Sequence, residues 1–296
     1  MAVIQQFKGY MKINNFDFNY TNDIYICAEI GINHNGSIND AKKLIKIASE
    51  CGCNAVKLQK RSPEHCVPHE QREMIRETPW GKMTYFDYKK KIEFSIDQIY
   101  DLSKYANKLN IDFFCSVWDI LSLQELISIN TVAIKIPSAL ITDNNLVESI
   151  KKTNLPVIWS TGMSDIKEIN NAYNILKDVP NIICHCNSSY PASENELNLN
   201  YIPLMKKNYP NSIIGYSGHE VGLLPSIIAV VKGAKFIERH ITLDRSSWGT
   251  DQSASIEPQG LNKLVKDIRR INIILGKPEK ILFNSELSAR KKLRGI

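Results

Sequence analysis

Three pairs of polar residues, Lys57/Gln59, Ser217/His219 and Glu238/His240, sit two positions apart inside otherwise apolar runs. In an extended strand, residues two apart point to the same side, so each pair presents both groups to one face. Two imidazoles brought to one place suit a divalent cation with coordination positions left open for water or substrate. Taken singly, either histidine is more simply a hydrogen-bonded structural residue, and only their shared position argues for a ligand pair. His185 in "CHC" competes for that role but is expected to pack or hydrogen-bond beneath the site. His34 in "NHNG" is placed to touch either substrate or its own loop.

Lys57 and Lys135 admit two uses. A strand lysine can form a Schiff base with a carbonyl substrate, or it can hold a phosphate or carboxylate as a permanent cation. Ser116, Ser138, Ser160 and Ser217 end apolar runs in the same way. Four hydroxyl donors suit anionic oxygens and favour the second use, although any one serine could simply end a strand ahead of a helix cap.

The elements that must position these residues recur along the chain. Apolar runs occupy 24–31, 55–59, 111–118, 132–138, 156–162, 182–188, 212–218 and 236–242, and each reads as a strand of a buried parallel sheet. Helical patterns fill the intervals. Ala41, Leu44, Ile45 and Ala48 form one apolar face, with Ser37 and Asp40 as a capping box and Gly52 as a stop. Leu261, Leu264, Val265, Ile268 and Leu275 repeat at helical spacing up to Gly276. Eight such units predict a closed (β/α)8 TIM barrel over 24–276, in which chemistry gathers at the C-terminal ends of the strands. Residues 1–23 are expected to form an N-terminal extension whose hairpin, carrying Phe16 and Phe18, covers the barrel bottom. Residues 277–296 are expected to be a C-terminal tail.

Composition narrows the partners. The 296 residues carry a net charge of +6 with 43% hydrophobic and 23% charged residues, an ordinary globular balance that leans toward anionic ligands. Basic residues are dispersed apart from a short run at 290–294, so a nucleic-acid partner has no support. No apolar run reaches membrane-spanning length. Seven cysteines lack zinc-site spacing, and reduced thiols in a cytoplasmic protein account for them.

The motifs "AEIGINHNGSINDAKKLI", "AVKLQ", "KIPS", "STGM", "GYSGH" and "ERHITLD…GTDQSASIEP" resemble, in order, those of the sialic acid synthase family. The resemblance runs from about residue 24 to residue 294. It implies a transferase that condenses phosphoenolpyruvate with an amino-sugar aldehyde such as N-acetylmannosamine, acting as a homodimer. By position it makes His219 and His240 metal ligands and places the Glu29 carboxylate beside the reacting carbons. Lys57, Ser116, Lys135, Ser138, Ser160 and Ser217 match phosphoenolpyruvate-binding positions, with Gln59 nearby. Ser188 stands where many relatives have asparagine, so that phosphate contact is altered or comes from Asn187. Tyr190 and Asp251 match positions facing the acceptor sugar, while Glu238 and Arg239 are assigned to the framework. Leu140 stands where a glutamate is common, and Trp118 replaces a phenylalanine. The small antifreeze-like domain of many relatives would begin where this sequence stops.

The implied chemistry uses a divalent ion as Lewis acid for the aldehyde. Imidazole donors favour manganese, cobalt or zinc over magnesium, so Mn2+ is expected, with Mg2+ or Co2+ as alternatives. Competing readings are a Schiff-base aldolase and a sugar-binding barrel without turnover. A synthase of the 3-deoxy-octulosonate phosphate type would need a second phosphate site, and the sequence displays no dedicated basic cluster for one.

Overall fold

The computed structural model describes residues 10–295. The first nine residues of the expected N-terminal extension therefore lie outside the described residues, as does Ile296. Eight strands close into a parallel barrel: β1 (Tyr25–Gly31), β2 (Ala55–Lys60), β3 (Asp112–Val117), β4 (Ile134–Ile136), β5 (Val157–Ser160), β6 (Asn181–Cys186), β7 (Ile213–Gly218) and β8 (Phe236–His240), with β8 pairing back onto β1. Every apolar run of the sequence supplies one of them.

Alternation along each strand divides the chain between two environments. Outward residues such as Ile26, Val56, Cys115, Trp159 and Ile237 join the ring of helices in one large apolar cluster. Inward residues at the N-terminal ends, including Tyr25, Ala55, Phe114, Ile158, Ile182 and Phe236, fill the barrel bottom. One or two pleats further along, the inward positions become Glu29, Lys57, Ser116, Lys135, Ser160, Ser217, Glu238 and His240. The barrel interior is thus apolar at one end and ionic at the other, with no change of register needed to produce it.

The expected hairpin pairs Lys12–Ile13 with Phe16–Asp17. It plugs the barrel bottom, where Met11, Ile13 and Phe18 are buried and Phe16 meets Tyr25 edge-on at 5.1 Å between ring centres. Burying an aliphatic or aromatic side chain of this size contributes about 1.5–3 kcal/mol, so this short segment is anchored by packing and not by its two-residue strands. The helix Ile38–Glu50 buries the four residues expected of it, and Ser37 accepts the Asp40 backbone N–H. In the helix Pro258–Leu275 the apolar face continues through Ile271; Leu275 is exposed, because the helix overruns the barrel there. The tail holds a further helix, Asn284–Arg294, with no buried residue.

One substructure lacks a counterpart in the sequence reading. After β2 the chain forms a short hairpin, Ile75–Thr78 with Gly81–Thr84, and then the helix Tyr85–Ile92. Tyr88 and Ile92 pack against Ile32 in a small separate cluster, and Tyr88 meets Trp248 edge-on at 5.2 Å. This insertion leans over the polar end of the barrel.

Candidate active site

A cavity of about 370 Å³ opens at the C-terminal ends of the strands. Its lining brings together Glu29, Lys57, Gln59, Ser116, Lys135, Ser138, Ser160, Ser188, Tyr190, Ser217, His219, His240 and Asp251. Of the residues that the family resemblance matches to substrate or metal, Asn187 alone is not among those lining this cavity. Its side chain accepts the Ser189 backbone N–H and lines an adjoining cleft with His185 and Tyr201. Ser188 occupies the mouth in its place, beside Gly162. Gly162 donates its backbone N–H to Ser138 Oγ at 3.0 Å. A Cβ on Gly162 would lie 2.1 Å from Ser188 Oγ, so only glycine permits this crowding of hydroxyls.

The floor is a buried ionic lattice. Lys57 Nζ lies 2.7 Å from Glu29 Oε2 and 3.8 Å from Glu238 Oε1, and Lys135 Nζ lies 3.3 Å from Glu238 Oε1. Ser160 accepts from the Lys135 ammonium, and Ser217 donates to Glu238. Glu238, expected to be framework, therefore lines the cavity beside these lysines, as its spacing from His240 already signalled. Arg239, one residue on, points outward and binds Glu220 at 2.8 Å, where it is framework as expected.

These contacts set the charges. Burial opposes ionisation of Glu238, but Lys135 and Lys57 outweigh it and hold the carboxyl down at about 2. Burial also opposes protonation of Lys57, and Glu238 and Glu29 override it, raising the ammonium above its ordinary value. For Glu29 burial wins: its pKa is raised despite Lys57 and the Gln59 amide, which donates to Oε1 at 3.3 Å. Burial and the two lysines thus drive the neighbouring carboxyls in opposite directions, Glu238 down and Glu29 up.

The two histidines face each other with ring centres 5.3 Å apart. His219 Nδ1 lies 2.6 Å from the Asn187 carbonyl, to which it donates, and Nε2 faces the mouth; burial opposes protonation of the ring, but Cys186 and that carbonyl outweigh it and raise its pKa. A carbonyl that fixes the far nitrogen in this way is the usual support of a metal-ligating imidazole. Tyr190 donates its hydroxyl to that Nε2 at 2.8 Å; burial, then Asp251, pushes its phenol pKa up and keeps it protonated. His240 is held neutral, its pKa lowered to about 3 by burial and reinforced by His219 and Lys57. Its buried Nδ1 has no hydrogen-bond partner and faces Asp251 Oδ2 at 3.8 Å. Among the described residues no three His, Cys, Asp or Glu side chains converge as a complete cation site. Two imidazoles facing each other at the mouth suit an ion that would take its remaining ligands from water or substrate.

The other two histidines are accounted for structurally. His34 accepts the Gly36 backbone N–H and stacks on Phe94 at 4.1 Å, a loop contact. His185 donates to the Leu197 carbonyl at 2.7 Å on the outer side of β6. Arg61, Tyr85, Lys89, Trp118, Met163, Cys186 and Thr250 also line the mouth and were not assigned to it from sequence. Arg61 had a signal, since it extends the Lys57/Gln59 alternation by one step. Tyr85 and Lys89 had none, because they arrive on the inserted helix.

Comparison with known proteins agrees with this geometry. The NeuB family model matches residues 44–280. The chain is 37% identical over 273 residues to the N-acetylneuraminate-9-phosphate synthase of Homo sapiens, covering 91% of this chain and 76% of that one. It is 35% identical over 279 residues to the N,N'-diacetyllegionaminic acid synthase of Legionella pneumophila, covering 91% and 78%. The crystal structure of the N-acetylneuraminic acid synthetase of Leptospira borgpetersenii superposes with a TM-score of 0.84 at 33% identity, covering 96% of this chain and 97% of that one. The chain belongs to the NeuB family.

Proposed function

We propose that this protein is a nonulosonic acid synthase, joining the methylene carbon of phosphoenolpyruvate to the open-chain aldehyde of an amino sugar and releasing inorganic phosphate. The observation that carries this reading is the single mouth in which two lysines, a ring of serines, two carboxylates and two imidazoles converge, in a chain of the NeuB family.

Lys57 and Lys135, with Ser116, Ser138, Ser160 and Ser188, receive the phosphate and carboxylate of phosphoenolpyruvate. Both lysines are already neutralised by Glu29 and Glu238, so the anion competes with the protein's own carboxylates for them. This competition has a chemical consequence. Glu29 has a pKa raised by burial and restrained by Lys57; when substrate takes that lysine's charge, the restraint weakens and Glu29 becomes more basic. It then accepts a proton from the water that adds to the enol carbon, as a positioned carboxylate can. Collapse of the resulting tetrahedral carbon expels phosphate. His219 and His240 would hold a divalent ion, manganese by preference, whose Lewis acidity would activate the aldehyde. Tyr190 and Asp251 flank these rings and orient the acceptor.

The aldolase reading is opposed by the same ion pairs. Imine formation needs a neutral amine, whereas Lys57 is shifted toward its charged form. The test is phosphate release from phosphoenolpyruvate across a panel of amino-sugar and neutral aldoses, with added manganese. Release that depends on an amino-sugar aldehyde is expected. Trapping of a lysine by borohydride with substrate, and no phosphate release with any aldose, would overturn the proposal.

A further inference from the structure

The backbone ladder between β7 and β8 stops short of the two facing histidines. It runs from Gly215 opposite Phe236 to Gly218 opposite Arg239. His240 is held from its other side, where it pairs with Glu29 of β1. His219 lies past the end of β7; its carbonyl accepts the Ala192 backbone N–H and its ring is tied to the Asn187 carbonyl. Backbone pairing thus ties the two histidines to different partners and leaves their mutual spacing to side chains.

Behind the rings, the residues next to each histidine bind one another. Glu220 follows His219, and Arg239 precedes His240. Arg239 Nη1 lies 2.8 Å from Glu220 Oε1, and Nη2 donates to the Glu220 carbonyl at 2.6 Å. The same guanidinium reaches the Gly222 carbonyl and Ser226 Oγ, each at 2.9 Å. Tyr216 donates its hydroxyl to Glu220 Oε2 at 2.7 Å. Both partners are enclosed, Glu220 at 0% and Arg239 at 2% exposure. The carboxylate gets there by folding back against β7, where a Cβ on Gly218 would lie 2.6 Å from Glu220 Oε2. A buried ion pair contributes little net stability, because desolvating both charges cancels much of their attraction, and apolar residues of similar volume serve as well. What it adds is direction. A planar guanidinium that grips both the carboxylate and the backbone carbonyl of one residue fixes that residue's position and orientation.

We propose that Glu220 and Arg239 are positioning residues for the histidine pair: their ion pair sets the 5.3 Å separation of the His219 and His240 rings, and with it the affinity for a divalent ion. This inference rests on the reading, given above, that the two histidines hold that ion. Neither Glu220 nor Arg239 lines the mouth, so both act through the histidines beside them and not by touching substrate.

The test separates position from stability. Glu220→Leu combined with Arg239→Met replaces the pair by apolar side chains, so the denaturant midpoint should hold. Mn2+ affinity, read by electron paramagnetic resonance without substrate, should fall by about 10- to 100-fold, as when the support of a metal-ligating side chain is removed. Arg239→Lys keeps the charge but not the planar fork; it should lose affinity in the same direction, and it carries the test if the double variant does not fold. Unchanged Mn2+ affinity in a folded variant, whatever its stability, would overturn the proposal. If the wild type binds no Mn2+, the ion reading itself fails. The nuclear Overhauser contact between the His219 and His240 rings in metal-free protein then decides the spacing claim alone, with the stacked His34 and Phe94 rings as internal control. Loss of the histidine contact in either variant supports the claim, and an unaltered contact refutes it.

Discussion

Replacing Glu238 by Gln removes one negative charge from between two buried ammonium groups while keeping the side chain's size. At separations of 3.3 Å and 3.8 Å, an effective dielectric of about 20 gives attractions of about 5 and about 4 kcal/mol. Desolvation consumes much of this. The depression of the carboxyl from 4.5 to about 2 converts independently to about 3 kcal/mol of net stabilisation. Glu238→Gln should therefore destabilise the fold by about 3 kcal/mol, within the range for breaking a buried pair from one side. The same change should tighten phosphoenolpyruvate, because its anionic groups no longer displace a carboxylate; recovery of about 1.4 kcal/mol would appear as a tenfold lower Kd. Denaturant unfolding with and without phosphoenolpyruvate reads both effects in one experiment. The sign with pH also follows. A depressed folded-state pKa contributes stability that is present above about 4.5 and lost as pH falls toward about 2, so the acid limb of the wild-type stability curve should be shallower in the variant. Unchanged stability in Glu238→Gln, or ligand protection no greater than in the wild type, would refute the claim that Glu238 competes with substrate for the two lysines.

Lys135→Ala, which removes the cation nearest Glu238 and Ser160, should raise the KM for phosphoenolpyruvate by about 10- to 100-fold with a smaller change for the acceptor, measured by steady-state phosphate release. Gly162→Ala places a Cβ 2.1 Å from Ser188 Oγ and 2.9 Å from Ser138 Oγ; it should displace both hydroxyls and weaken phosphoenolpyruvate binding in calorimetry while leaving the circular dichroism spectrum intact. Glu29→Gln keeps the contact with Gln59 but loses basicity and frees Lys57, so turnover should fall by about 100-fold or more while the KM for phosphoenolpyruvate falls, measured by steady-state phosphate release. His219→Ala and His240→Ala should each abolish tight manganese binding, measured by electron paramagnetic resonance without substrate.

Much of this arrangement was legible in the sequence because a barrel strand obeys two simple rules at once. Apolar runs such as 182–188 mark the strands, and two-residue alternation tells which of their polar residues face inward. Lys57, Ser116, Lys135, Ser217 and His240 were reached that way. The same rule placed Glu238 beside His240 on the inner face, and its assignment to the framework set that spacing aside in favour of a family pattern. The inserted hairpin was illegible for a physical reason. Its strands read IRET and GKMT, mostly exposed and without apolar alternation, so nothing distinguishes them from loop. Lys89 followed from the same gap, since its neighbours in space, Tyr85, Tyr88 and Arg61, become neighbours only when the insertion closes over the mouth. Asn187 came from the family resemblance alone, because β6 ends at Cys186 and beyond a strand end alternation no longer predicts direction.

Phosphoenolpyruvate labelled with 18O at its bridging oxygen, incubated with manganese and an amino-sugar aldehyde, tests the proposed reaction most directly. Because water adds to the enol carbon and the tetrahedral carbon then expels phosphate, the carbon–oxygen bond breaks. The label should appear in inorganic phosphate, with one nonulosonic acid formed per phosphate released. Label retained in a keto product, or phosphate released at the same rate without the sugar, would contradict the account.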